Sequence, residues 1–173
     1  MSRAMSCELR ATSLGVMYSS WLEAHSSQPH NVIALKTTTT IQVRFNDIDM
    51  AGHAHNAVYL SWFEQARMDL LRNFIERKHD WKVNGLIVAR NEVDYRGPVH
   101  LSEQVEVDCW CDRLGTKSFD LRYALYVMND GVRQLRTEAR SVMVCYDYNS
   151  NSTIAIPDAW RAALARMMET TKP

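Results

Sequence analysis

Apolar side chains between residues 56 and 78 fall at Tyr59, Leu60, Trp62, Phe63, Ala66, Leu70, Leu71, Phe74 and Ile75. Steps of three and four predict a helix from Asn56 to about Lys78, roughly 30 Å long at 1.5 Å per residue. The apolar arc is wider than a narrow stripe, so this helix should be well buried. Elsewhere the period drops to two. Thr39 to Phe45, Leu86 to Tyr95, Val105 to Cys111, Ser118 to Val127 and Arg133 to Tyr146 read as five strands. Gly97-Pro98, Leu114-Gly115-Thr116 and Asn129-Asp130-Gly131 break them, the last as a hairpin turn. Asn149 to Thr153 reads as a polar loop, and Pro157 to Met168 as a terminal helix with proline in its first turn. One strand, a long helix and four hairpin-linked strands predict an α+β fold, an antiparallel sheet of about five strands against one long helix.

Residues 1–37 lack this order. They are rich in Ser and Thr, carry only Glu8 and Glu23 as acids, and show no clean periodicity. They are expected to be a poorly ordered extension or leader ahead of a domain spanning 38–173. Arg3 and Arg10 in an acid-poor stretch leave an organelle transit segment as the alternative to a cytoplasmic chain.

Composition narrows the partners. The 173 residues suffice for one domain with a core, and 46% are apolar. Lys+Arg and Asp+Glu both number 20, so no bulk charge favours nucleic acid or an anionic membrane. No apolar run approaches the roughly 20 residues of a membrane span. Cys7, Cys109, Cys111 and Cys145 are too scattered for a disulfide framework, and Cys109 and Cys111 should share one strand face as reduced, buried thiols.

The chemistry concentrates between the first strand and the long helix. Asp47, Asp49, Gly52, His53 and His55 lie within nine residues, followed at once by Asn56 and Ala57 at the expected helix start. Carboxylates and imidazoles there sit beside unpaired backbone N–H groups, which favour a developing negative charge. Splitting an ester or thioester needs that combination. Asp49 can serve the chemistry or cap the helix; Asp47 fits a structural partner. Gly52 fits a positive φ or close substrate approach. His53-x-His55 lacks a third ligand at a telling spacing, so no metal is expected. Glu64 and Arg67 are three apart on the helix and suit an ion pair.

The pattern Asp47-x-Asp49-x-x-Gly52-His53-x-x-Asn56-x-x-Tyr59, then Trp62-Phe63-Glu64-x-Ala66-Arg67, resembles the 4-hydroxybenzoyl-CoA thioesterase-like branch of the hotdog-fold superfamily, within it the acyl-CoA thioesterases. Tyr95-Arg96-x-Pro98-Val99, Arg113-Leu114-Gly115-x-x-Ser118-Phe119 and Ile156-Pro157-Asp158 extend the likeness from about Thr39 to Met168. It implies a curved sheet wrapped around one helix, a homodimer or homotetramer with sites at the subunit interface, and hydrolysis of an acyl-CoA or acyl carrier protein thioester without a cofactor. It casts Asp49 as nucleophile or general base, the Asn56 N–H as oxyanion donor and His53 as the catalytic-site residue that orients Asp49 or contacts the thioester. Glu64 is the back-up catalyst. Gly52, Tyr59, Lys117 and Ser118 are candidates for substrate contacts. A hydratase-type hotdog enzyme and a non-catalytic acyl-thioester-binding protein are the alternatives.

Overall fold

A computed structural model describes residues 36–169. Strand β1 (Thr37–Ile41) leads through a single 3-10 turn (Phe45–Asp47) into helix α1 (Val58–Leu71). Strands β2 (Gly85–Tyr95), β3 (Gln104–Leu114), β4 (Ser118–Asn129), β5 (Val132–Asp147) and the two-residue β6 (Ser152–Thr153) follow, and helix α2 (Asp158–Glu169) comes last. Every pairing is antiparallel, in the order β1-β3-β4-β5-β2, with β6 added to β5. The expected extension lies outside the described residues except for Lys36 and Thr37, and Thr37 already belongs to β1.

Alternation decides which side chains meet the helices. Val105, Val107, Cys109 and Cys111 of β3, Phe119, Leu121, Tyr123 and Leu125 of β4, and Ala139, Met143 and Cys145 of β5 are all buried on one face. Tyr59, Trp62, Phe63, Ala66, Leu70 and Leu71 of α1 pack onto that face, with Phe63 and Tyr123 ring to ring at 4.9 Å. Each large side chain so buried contributes about 1.5–3 kcal/mol. Register shifts between Val88 and Arg90, Cys111 and Arg113, and Leu125 and Tyr126 are bulges, which bend strands.

β2 to β5 and α2 fall within three residues of the periodicity at each end; the larger differences lie around β1, α1 and β6. β1 begins at Thr37 and stops at Ile41, the span that pairs with β3 from Cys109 to Val105; its side chains are also tied down, Thr39 Oγ1 donating to Asp69 (2.8 Å) and Asn73 donating to Thr37 Oγ1 (3.1 Å). The chain then turns at Phe45–Asp47, which was expected to be strand and turn. α1 is 14 residues, not the 23 expected. At its start His55 Nδ1 accepts the Ala57 N–H (3.2 Å) and His55 O accepts the Val58 N–H (3.0 Å), so 56–57 form a turn. Past Leu71 the N–H groups of Asn73 and Phe74 bond three residues back, tightening the chain into turns that still seat Ile75 in the core. Leu60 is the helix's apolar exception: it is 41% exposed, on the face shared with Glu64. The loop expected at 149–153 supplies β6.

Candidate active site

Between β1 and α1 the chain folds back on itself. Ile48 and Ala54 form an isolated antiparallel bridge, the Asp49 N–H donates to His53 O (2.8 Å), and the His55 N–H donates to Asp47 O (2.8 Å). Gly52 closes this hairpin with φ +81°, a conformation that resists any side chain, and its N–H returns to Asp49 O (3.0 Å). The Ala54 N–H donates to Val99 O (2.8 Å), which pins the hairpin to the segment after β2.

The two aspartates are separated by environment. Asp47 is buried and holds Arg44 through the backbone N–H (2.9 Å) and the guanidinium (3.0 Å). Burial pushes its pKa up, but the hydrogen bonds and charge of Arg44 outweigh it, and the net direction is downward. Asp47 is thus a fixed anion that braces the turn. Asp49 is exposed; its Oδ1 accepts the N–H groups of Ala51 (2.8 Å) and His53 (3.4 Å), while its Oδ2 has no partner among the described residues. One oxygen fixes the carboxylate's orientation and the other stays available for chemistry.

Seven residues on, past the base of the hairpin, the Asn56 N–H has no protein acceptor among the described residues; His55 takes the following N–H and helical bonding begins later. The Asn56 carbonyl is occupied: Tyr95 Oη, at the end of β2, donates to it at 2.9 Å. Tyr95 packs edge-on against Tyr59 at 5.1 Å. Tyr59 is itself buried between Tyr95 and Trp62. Burial pushes both phenols above their ordinary pKa, so both stay protonated and Tyr95 stays a donor.

His53 is exposed, its ring 5.1 Å from His100, and His100 meets Glu103 through its N–H (2.7 Å) and ring (3.4 Å). Tyr95, His55, His100 and Glu103 are the site neighbours to which sequence reasoning gave no role; His55 stood in the motif and Tyr95 in the Tyr95-Arg96-x-Pro98 segment, but nothing near either residue announced its partner. Glu64 lies two turns into α1, exposed and paired with the buried Arg67 at 3.3 Å. Lys117 and Ser118 are elsewhere. Lys117 Nζ donates to Thr153 O (2.9 Å), and Ser118 pairs with Val144, seven residues along β5 from Thr137, which pairs with Tyr95. That offset is roughly 23 Å, so one chain does not bring them to Asp49. Among the described residues no group of three or more His, Cys, Asp and Glu side chains could hold a metal ion.

The long-chain acyl-CoA thioesterase FadM of Escherichia coli K12 is 28% identical over 134 residues, covering 76% of this chain and 98% of its own. A thioesterase of Thermus thermophilus, solved with coenzyme A and zinc, is 28% identical and superposes with a TM-score of 0.65 over 79% of this chain and 95% of its own. A 1,4-dihydroxy-2-naphthoyl-CoA thioesterase from Synechocystis, 19% identical, shares the fold at a TM-score of 0.66 over 75% of this chain and 96% of its own. A family match over residues 43–164 takes in α1 and the whole sheet after β1, and the chain belongs to the thioesterase-like superfamily.

Proposed function

We propose that this chain hydrolyses an acyl-CoA thioester to free CoA and a carboxylic acid, with Asp49 as its reacting carboxylate. The observation that carries this is the half-anchored Asp49, with a free Oδ2, in the same hairpin that delivers an unpaired Asn56 N–H to the mouth of α1. A thioester carbonyl bonded to the Asn56 N–H would place its developing oxyanion at the positive end of the helix. Asp49 Oδ2 then either attacks the carbonyl carbon, giving a mixed anhydride that water cleaves to the acid and the free carboxylate, or takes a proton from the water that attacks the carbonyl directly; in both cases the C–S bond breaks and CoA leaves as thiolate. Acyl carrier protein thioesters would follow the same course.

The site is built for two copies. β2 is an eleven-residue edge strand whose far side is unpaired in the sheet order. Leu60, Val88 and Tyr95 are exposed apolar side chains along it and on the adjacent helix face. Antiparallel pairing of two β2 edges would set the Tyr95 end of one copy beside the Leu86–Val88 end of the other. The Asp49 hairpin of one then faces Glu64 of its neighbour, and the neighbour's Lys117 and Ser118 lie at that same end, where CoA phosphates would reach them. Among the described residues no helix is long and apolar enough to cross a membrane.

The test is thiol release from a panel of acyl-CoAs by wild type and Asp49→Asn. Asp49 is exposed, so the variant keeps its fold. Wild-type release lost by about a hundredfold or more in the variant is the expected result. Release that survives the substitution transfers the role to Glu64, and no release from any acyl-CoA refutes hydrolysis of this class.

A further inference from the structure

A groove runs between α1 and β2. Its part beside β2, about 210 Å³, has apolar walls from Met68, Leu71, Leu86, Val88 and Met143, and Glu64 and Arg67 also line it. A larger hollow of about 630 Å³ continues along α1, sharing Met68, Leu71 and Trp81, and Arg72, Glu76 and Arg77 make its far part polar. The unusual member is Arg67. Only 8% of it is exposed, yet its hydrogen bonds are long: 3.4 Å to Tyr123 Oη and 3.3 Å to Glu64. Those contacts occupy two of the five N–H donors of a guanidinium. Elsewhere in the same chain, arginines on buried carboxylates are gripped closely: Arg133 holds Asp108 at 2.8 and 3.1 Å, and Arg140 holds Asp120 at 2.7 Å. Arg67 is therefore a desolvated cation with donors to spare, facing an apolar hollow.

We propose that Arg67 and Glu64 form a recognition site for a neutral oxygen, a hydroxyl, carried on the acyl group of the thioester. The inference rests on the thioesterase reading, with the carbonyl bound at the Asn56 N–H of the facing copy. A hydroxyl uses both partners, accepting from Arg67 and donating to Glu64. A plain alkyl chain leaves the guanidinium donors unmatched beside it, which a site built from polar groups penalises. A terminal carboxylate would attract Arg67 but add a second anion beside Glu64, leaving surplus charge against apolar walls. The pair as it stands has no net charge, so a neutral group fits it best.

The experiment compares octanoyl-CoA, the positional series of hydroxyoctanoyl-CoAs and octanedioyl-CoA as substrates of the full chain. At least one hydroxy ester should exceed octanoyl-CoA in kcat/KM by about tenfold or more, the scale of a hydrogen bond to a charged group. Arg67→Met, close in volume but without donors, should bring that ratio near one, and Arg67→Lys should fall between. If Arg67→Met does not fold by circular dichroism, the Lys variant carries the comparison. The same ratios should appear as Kd values for Asp49→Asn, which reads the groove without turnover. Equal rates across the hydroxy series, a preference that survives in folded Arg67→Met, or a preference for octanedioyl-CoA each overturn the proposal while hydrolysis itself stands. Absence of any release would instead count against the thioesterase reading, leaving the Kd ratios to decide for or against the Arg67 site.

Discussion

Asp108→Asn tests how β1 is held, and with it the strand that delivers the site. Asp108 lies on β3 opposite Thr38 and is buried, on the sheet face away from α1. Its carboxylate accepts from Lys36 (2.7 Å), Thr38 Oγ1 (2.7 Å) and both terminal nitrogens of Arg133 (2.8 and 3.1 Å). Removing the charge from one side of a buried ion pair costs about 3–5 kcal/mol. Lys36 and Arg133 are 51% and 32% exposed and can turn to water, and Asn retains some of the bonds, so the low end applies: about 3 kcal/mol. For a chain of this size that is a melting temperature lower by roughly 6–12 °C at neutral pH. The pH dependence checks the cause. Burial raises the pKa of Asp108, but the bonds from Arg133, Lys36 and Thr38 more than reverse it, holding it at about 2. The unfolded value is about 3.9, so this stabilisation is complete above about pH 4 and disappears as pH falls through about 2. Melting curves of wild type and variant, followed by circular dichroism at steps of pH from 7 downward, should therefore converge in acid. A gap that stays constant with pH, or one of a degree or less at pH 7, would refute the reasoning.

Three further outcomes follow from the site. Tyr95→Phe removes the bond to the Asn56 carbonyl; kcat should fall about tenfold, a fraction of the effect of deleting an oxyanion donor, with KM and melting temperature little moved, and steady-state kinetics of the variant decide it. Gly52→Ala meets no neighbouring atom but imposes a left-handed backbone on a side chain, at about 1–2 kcal/mol, so kcat should drop while the rest of the fold melts within a few degrees of wild type. Burial pushes the thiol pKa of Cys111 to about 12 and that of Cys145 to about 11, and drives Cys109 upward too, so in a Cys7→Ser background an aromatic disulfide reagent should label no thiol until denaturant is added.

The legible parts of this fold are those whose cause is local. Val105, Val107, Cys109 and Cys111 declare their face by alternation, and the hairpin turn at Asp130-Gly131 announces itself by residue type, with positive φ at both positions. What escaped depends on distant partners. Thr37 and Thr38 stood outside the strand expected from Thr39, yet β1 takes them in, and Asn73 of the turns after α1 holds Thr37. Phe74 and Ile75 prolong the helical period although the backbone has already left it. Asp108 and Asp120 are buried because arginines 25 and 20 residues away reach them. The site divides in the same way. Asp49, Gly52, His53 and Asn56 stand together in one short motif, whereas the Tyr95 contact to Asn56 spans 39 residues and has no local signature.

β2 has two duties that pull on each other. Its outer edge is the one proposed to receive a second copy, and its last residue grips the peptide at the mouth of α1. Assembly and rate are then joined by mass action: dilution that separates the copies would free the strand, loosen that peptide and remove the neighbour's groove at once. Specific activity would fall with protein concentration, so the chain reports its own abundance through the speed at which it works.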